Sequence, residues 1–225
     1  MFDSILRFFR KRKIKKYISD IPTGILPLSE ISTVNVVIDV EEPGFDVLKE
    51  DILAWGRKQG IKVNIYFFDF RKLGKDELLL TSINTTIIQK ELNWFDMPSP
   101  SKVGMLFRED SDLFISMISN KDFPIEFVSK CAKARFKIGR YPFDGHVYDM
   151  TIAGSEVEEL RSDSREIFAA ITDFLKNGSN DIAVLLESRQ QPSVQHSGAG
   201  LYRKVRHITL PKVHIPICGT FITTP

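Results

Sequence analysis

The sequence is poor in the residues that carry most recognisable chemistry. Its 225 residues include only two cysteines, and Cys131 and Cys218 lie far apart without a CxxC pair or a metal-ligand spacing. This distribution excludes a dithiol redox motif and is typical of a reducing compartment. No glycine-rich GxGxxG or GxxxxGK[ST] loop occurs, and there is no GxSxG nucleophile motif. The sequence therefore lacks the patterns that mark dinucleotide-dependent dehydrogenases and P-loop nucleotide hydrolases.

Long hydrophobic runs are also missing. No stretch approaches the run of about 18 apolar residues that predicts a transmembrane helix. Near the N-terminus, Arg7 and the basic run at residues 10–16 interrupt the apolar residues, so no apolar core of a secretory signal follows a basic start. We therefore expect a cytoplasmic protein without a transmembrane segment.

The net charge of +2 conceals an uneven distribution of charged side chains. Residues 1–20 contain seven basic and two acidic side chains, and residues 178–225 contain five basic and two acidic ones. The intervening residues 21–177 are therefore acidic overall. An acidic body with two basic ends suggests that the basic segments contact an anionic partner.

The first half of the chain predicts a strand–helix–strand unit. Residues 34–40 form a nearly continuous run of β-branched residues, which is typical of a strand buried on both faces. Apolar residues at helical spacing follow from Phe45 to near Gly60, and residues 61–68 form a second apolar strand. Two strands joined by a helix normally pair in parallel.

The rest of the chain continues this alternation. A capping box of Ser155 and Glu158 begins the last helix, and Asn177-Gly178 supplies its C-terminal stop. The pattern favours an α/β fold: a single three-layer domain with a mostly parallel sheet of five or six strands and helices on both faces. Further strands are predicted at 85–88, 103–107, 112–118, 136–138 and 147–152, and helices at 75–80, 124–134 and 156–177.

These elements divide the chain into three parts. Residues 1–29 are a basic amphipathic helix and its linker, residues 30–177 are the α/β domain, and residues 178–225 are an irregular C-terminal appendage. In the appendage acidic residues almost vanish, and two linker-like segments precede any further strand signal. We expect the appendage to pack loosely and its removal to leave the domain folded.

One known family shares several segments with this chain: Asn93-Trp94, Phe107, 111–115, 123–127, 132–139 and 148–150. The stretch at 132–139 is the most specific of them. These segments resemble a family of small, uncharacterised cytoplasmic proteins from Bacteroidota, known as a domain of unknown function, and the resemblance covers roughly residues 1–177. The resemblance implies no reaction, substrate or catalytic residue.

Two basic segments supply the candidate anion-binding residues. Residues 130–140 contain five basic side chains and no acid, a composition that suits phosphate or nucleic acid. The alternative is an exposed edge strand that its basic side chains protect from aggregation. The N-terminal helix offers its charges to anionic lipid or to RNA, with a merely solvated helix as the alternative. The candidates are Arg10, Lys11, Arg12, Lys13, Lys133, Arg135, Lys137 and Arg140.

A second hypothesis uses the acids that follow the first two strands. Asp39 and Asp69 are expected at the carboxyl edge of the sheet, where ligands of parallel α/β domains bind. Paired carboxylates there would hold Mg²⁺ through oxygen ligands, and Lys137 would neutralise an anionic substrate. The alternative is that these residues are ordinary solvated loop acids.

The sequence favours a non-catalytic binding or accessory module that contacts an anionic partner: RNA, the ribosome or a membrane surface. The absence of catalytic motifs and the localised basic charge motivate this hypothesis, for which no cofactor is expected. The alternative is a small metal-dependent enzyme acting on a phosphorylated or otherwise anionic substrate. It requires Asp39, Asp69 and Lys137 to converge on one pocket.

Overall fold

The computed structural model of the protein describes residues 2–72, 79–152, 163–190 and 213–214. Its centre is a sheet of six parallel strands in the order β3-β2-β1-β4-β5-β6. The predicted α/β class and mostly parallel sheet are confirmed, and β1 lies inside the sheet as expected. The strands are β1 (Thr33–Asp39), β2 (Lys62–Asp69), β3 (Thr86–Ile88), β4 (Ser111–Ser116), β5 (Ala134–Gly139) and β6 (Met150–Ile152).

Strand β1 shows why these residues form a central strand. Val36 lies opposite Ile65 of β2 on one side and opposite Ile115 of β4 on the other. Val36 and Val37 are both completely buried, although they point to opposite faces of the sheet. Because both faces are covered, the strand needs no alternation of apolar and polar residues, and its β-branched side chains fill both layers.

Helices cover the sheet on both faces. α2 and α5 pack on the face that carries Val36, and α3 and α4 pack on the face that carries Val37. α1 lies against α4. The helices in the part of the chain described here are α1 (Phe2–Tyr17), α2 (Phe45–Gln59), α3 (Pro100–Arg108), α4 (Phe123–Cys131) and α5 (Ser164–Gln190).

Residues 103–107 belong to helix α3, so the strand predicted there is wrong. Pro100 occupies the first turn, where its missing N–H costs no intrahelical hydrogen bond. Val103 and Leu106 are three positions apart and both pack into the core between the sheet and α4. The apolar run is too short to show a helical period, and only packing reveals it. The short helix predicted at 75–80 falls largely outside the described residues.

The last helix also differs from its prediction. α5 passes through Asn177-Gly178 and ends at Gln190, so the predicted stop is wrong. One glycine costs a helix interior only about 1 kcal/mol, which is too little to end it. The capping box at Ser155 lies outside the described residues. Residues Val213–His214 form β7, which pairs antiparallel with β6 at the edge of the sheet. That residues 178–225 can be removed without unfolding stays a prediction.

Gly139, at the end of β5, allows the ring of Tyr148 to lie against the sheet. A Cβ atom at Gly139 would overlap that ring, which is buried and donates a hydrogen bond of 2.7 Å to Ser129 Oγ. We therefore expect Gly139→Ala to lower the free energy of unfolding by about 1–3 kcal/mol, measured by urea denaturation. Gly24→Ala is the matched control, because nothing lies within 4 Å of its added Cβ. Equal stability of the two variants would contradict this account of β5.

Candidate functional site

The basic run at residues 130–140 does not form one charged surface. Lys130 Nζ lies 2.5 Å from Glu126 Oε1, one turn earlier in α4. Lys133 Nζ lies 3.9 Å from Asp110 Oδ1, on the loop before β4. Acidic side chains from other parts of the chain therefore neutralise charges that stand together in the sequence.

The central part of this run is also not an edge strand. β5 lies between β4 and β6 and pairs with both. The alternative of an exposed basic edge strand is therefore wrong. Alternating apolar and basic residues suggested a half-exposed strand, but α4 covers the face on which the basic residues lie.

Arg135 is fixed at the amino-terminal edge of the sheet. Its guanidinium nitrogens lie 3.3 Å from Asp112 Oδ1 and 3.3 Å from Glu30 Oε2. Burial would raise the pKa of Asp112, but hydrogen bonds from Ser32 and from the Thr33 N–H outweigh it and lower the pKa. Asp112 is thus a stable anion that joins Arg135 to the start of β1.

Arg140 forms an ion pair at the opposite, carboxyl-terminal edge of the sheet. Its Nη1 donates to Glu42 Oε1 at 2.6 Å and to Ser164 Oγ at 2.7 Å, and the Ser164 hydroxyl also bonds Glu42. Glu42 follows β1 and Arg140 follows β5, so the ion pair crosses the end of β4, where Met117 O lies 3.4 Å from Arg140. The strand order reverses beside β1, a position where parallel sheets commonly hold ligands. Here an internal ion pair occupies it.

Lys137 is the one basic residue of the run whose side chain enters the core. It is 4% exposed, and its Nζ donates to the Ser129 carbonyl at 3.0 Å. Burial lowers the pKa of Lys137 to about 8, and the nearby carboxylate of Asp149 opposes part of this shift. Burial also raises the pKa of the Cys131 thiol to about 12, so that thiol is neutral at pH 7.

Asp149 lies near Lys137, but its hydrogen bonds go elsewhere. Its Oδ2 accepts the backbone N–H of Lys137 at 2.8 Å, and its Oδ1 accepts the Thr23 hydroxyl at 2.6 Å. The carboxylate therefore ties β5 to the segment that follows α1, and it does not contact the ammonium group within hydrogen-bond distance.

Asp39 and Asp69 end neighbouring strands on opposite faces of the sheet. Asp39 lies opposite Phe68, so Asp69 is one residue further on and alternates to the other face. Two 2.8 Å hydrogen bonds from the Arg71 side chain hold the pKa of Asp69 below its usual value, against the effect of burial. Burial raises the pKa of Asp39, and the negative charges of Glu41, Glu42 and Asp69 raise it further.

Lys137 lies far from the carboxylates of Asp39 and Asp69. The register aligns it through Phe114 with Asn35, four residues before Asp39 and two strands away. This offset corresponds to about 16 Å between the Cα atoms of Lys137 and Asp39. Within the described ranges, no group of three or more His, Cys, Asp or Glu side chains is placed to hold a metal ion. The geometry gives the metal-dependent alternative no support.

Helix α1 is docked on the body of the protein through one of its faces. Arg10 Nε donates to the Phe95 carbonyl at 3.1 Å, the guanidinium pairs with Asp96, and it lies 4.3 Å from the centroid of the Phe123 ring. Ile14 packs against the buried cluster that contains Phe127, and Tyr17 contacts two phenylalanine rings of α3 and α4. Positions 10, 14 and 17 share one helical face. Arg10, expected to bind a partner, instead anchors the helix.

The opposite side of α1 points to solvent. We call Ile5, Phe8, Arg12, Lys15 and Lys16 the outer face of α1; all five side chains are exposed. Ile5 is 52% and Phe8 is 62% exposed. No ion pair with another described residue engages the three basic members. The outer face therefore combines unneutralised positive charge with large apolar side chains.

A further aromatic group adjoins this end of the helix. The rings of Phe8 and Phe9 meet edge to face with centroids 5.6 Å apart, and Phe9 contacts the ring of Phe95 at 5.6 Å. Trp94, next to Phe95 in the chain, is 74% exposed. The sequence predicts residues 93–100 to be a loop with aromatic anchors, but nothing local indicates that α1 lies beside it.

Of the eight basic candidates, three remain on an accessible helix without an ion-pair partner among the described residues: Lys11, Arg12 and Lys13. Lys133, Arg135 and Arg140 pair with acids, and Lys137 is buried. The sequence suggested Phe2, Phe8 and Phe9 for a membrane interface, but it did not indicate that Ile5 stays exposed beside Phe8. Their helical spacing with Arg12 and Lys15 was the available signal.

Comparison with known proteins places the chain in a family. Residues 7–187 match the Family of unknown function (DUF6913), and the chain belongs to it. The match extends beyond residue 177 into the second half of α5. No curated protein and no solved structure matches the chain. No helix among the described residues is long and apolar enough to cross a membrane.

The buried ammonium of Lys137 predicts a pH-dependent stability. Its pKa is about 8 in the folded protein and 10.5 in an unperturbed lysine, so between these values the unfolded chain binds more protons. Stability contributed by this site therefore rises with pH across that window, by up to about 3 kcal/mol. Lys137→Met removes the group, and we expect its stability relative to wild type to fall by this amount between pH 7 and pH ~10.5.

Urea denaturation of both proteins across that pH range measures the difference. Lys62→Met, at an exposed position that begins β2, is the control for loss of a lysine. A difference between wild type and Lys137→Met that stays constant with pH would contradict the burial of a charged Lys137.

Proposed function

We propose that this protein is a non-catalytic cytoplasmic binding module that attaches to an anionic membrane surface through the outer face of α1. The observation that carries the proposal is the composition of that face, with Ile5 and Phe8 exposed beside Arg12, Lys15 and Lys16. Basic residues near an anionic bilayer contribute about 1 kcal/mol each, and apolar side chains enter the boundary between headgroups and acyl chains.

The apolar residues favour lipid over nucleic acid. Ile5 has no ring to stack on a base, whereas binding of single-stranded RNA relies on aromatic platforms inside a basic groove. The outer face is a convex helix surface that carries an aliphatic and an aromatic side chain together. Trp94 adds an exposed indole close to the same end of the helix, and tryptophan is enriched at membrane interfaces.

The docking of α1 makes it an effective attachment device. An isolated helix of 16 residues is marginal in water, so a free peptide would pay for folding when it binds. Arg10, Ile14 and Tyr17 hold the helix on the body before any partner arrives. The outer face is thereby presented in a fixed orientation, which lowers the entropic cost of attachment.

The compartment and the origin belong to the same proposal. Anionic lipids of the cytoplasmic leaflet attract basic juxtamembrane segments, and the cytoplasm is where two distant cysteines remain reduced. An origin in Bacteroidota, implied by the resemblance, stays a prediction. RNA and the ribosome present similar negative charge, and they are the partners that the test must separate from lipid.

Vesicle co-sedimentation tests the proposal. We expect the full chain to bind vesicles of phosphatidylcholine with phosphatidylserine and to bind pure phosphatidylcholine much more weakly. Arg12→Gln/Lys15→Gln/Lys16→Gln should weaken binding by about 3 kcal/mol, or roughly a hundredfold. Phe8→Ser should weaken it by roughly tenfold, because one large apolar side chain no longer enters the bilayer.

The matched control removes three exposed positive charges in α2 and at the start of β2: Arg57→Gln/Lys58→Gln/Lys62→Gln. It should bind vesicles as wild type does. Equal losses in both triple variants would mean that total charge, not the outer face, decides binding. Recovery of RNA with no binding to anionic vesicles would show that the partner is a nucleic acid.

A further inference from the structure

The positive charge of Lys137 lacks an anionic hydrogen-bond partner in the described structure. Of its three ammonium hydrogens, one is used by the Ser129 carbonyl at 3.0 Å. The carboxylate of Asp149 interacts electrostatically with Lys137. Its two oxygens, however, accept hydrogen bonds from the Lys137 backbone N–H and from the Thr23 hydroxyl. Buried charges are normally paired, and this ammonium has hydrogen-bond donors left to offer to an anion.

A cavity of about 210 Å³ lies beside this side chain. Its walls come from the segment after α1, from the end of α4 and from the turn before β6. It is smaller than the pockets of about 300–1,000 Å³ that hold drug-sized ligands, but much larger than the space of one water molecule. The polar or accessible groups on its walls include Ser19, Thr23, Lys130, Lys137 and His146.

The turn that closes one side has an unusual backbone. Gly145 has a φ of 87° and His146 a φ of 46°, so two successive residues are left-handed. A non-glycine residue in this region is uncommon, and such conformations concentrate at sites that bind ligands. The turn places the exposed His146 at the rim, while Val147 behind it is buried.

We propose that this cavity binds a small monocarboxylate, whose carboxylate group pairs with the ammonium of Lys137. The site is separate from the outer face of α1, and it adds a ligand to the protein beyond the proposed attachment to membranes. The ligand enters between Thr23 and His146, which are both exposed, and its anionic end reaches Lys137 at the inner wall.

The local charges select a monoanion over a phosphate group. Lys130 also lines the cavity, but its ammonium already lies 2.5 Å from Glu126. Asp149 contributes a negative charge nearby, which opposes a second negative charge on the ligand. Lys137 is thus the one lysine on these walls that forms no ion pair with a described residue, and Asp149 already offsets part of its charge. A phosphate dianion would therefore add more uncompensated negative charge to this partly buried site than a carboxylate would.

The first test follows the reactivity of Lys137 in the full-length wild-type protein. Its amine is labelled by reductive methylation with formaldehyde, a neutral reagent small enough to enter the cavity, and the extent at each lysine is read by peptide mass spectrometry. Sodium propionate should protect Lys137 saturably against labelling at constant ionic strength with chloride. At about ten times the Kd, labelling of Lys137 should be roughly tenfold slower, while labelling of the exposed Lys62 is unchanged.

The second test compares variants by thermal unfolding in propionate, in chloride and in inorganic phosphate. Propionate should raise the Tm of wild type and of Lys133→Met saturably, relative to chloride. Lys137→Met should lose this increase; Met fills the space of the lysine stem, and burying it removes the cost of a buried charge.

Three results would overturn the proposal: no saturable protection of Lys137 by propionate, equal or stronger protection by phosphate, or an unchanged propionate effect in Lys137→Met. Because none of these measurements involves vesicles, failure of the cavity leaves the outer face of α1 untouched. Failure of vesicle binding likewise leaves the cavity untouched.

Discussion

Coverage of the sheet on both faces is the constraint on which the rest of the structure depends. Helices on both sides leave a charged side chain of β4 or β5 only three options: to reach an edge of the sheet, to meet an opposite charge, or to be buried at a cost. Arg135 and Arg140 take the first two options at opposite edges, with Asp112 and Glu42 as partners. Lys137, in the middle of the strand, has only the third.

This constraint separates charge that stabilises from charge that is available to a partner. The basic run of β5 serves the fold, because acids from distant segments reach it. The basic residues of α1 stay accessible because the helix lies outside the layered core and needs only one face for docking. Arg10 shows that one basic run can contain both kinds of residue. Its neighbours in the run stay accessible, but its own contacts with Asp96 and Phe123 anchor α1 to the body.

The sheet was predictable, and the charge partners were not. A run such as residues 34–40 predicts a buried strand directly, because a strand covered on both faces must be apolar throughout. Short elements such as α3 carry too few residues to reveal a period, and Gly178 mimics a stop that the helix overrides at small cost. The burial of Lys137 depends on the strand order and on the position of α4. Both follow from contacts between residues far apart in the sequence. The same holds for Asp39 and Asp69, whose facing directions depend on register.

The segment between α1 and β1 connects the two proposed sites. The Ser19 N–H donates to the Lys130 carbonyl, the Gly24 N–H donates to the Arg135 carbonyl at 2.9 Å, and Thr23 bonds Asp149. This segment is at once the tether of α1 and a wall of the cavity beside Lys137. The docked helix and the buried lysine are thus related by position, through a segment that neither composition nor periodicity distinguishes from an ordinary linker.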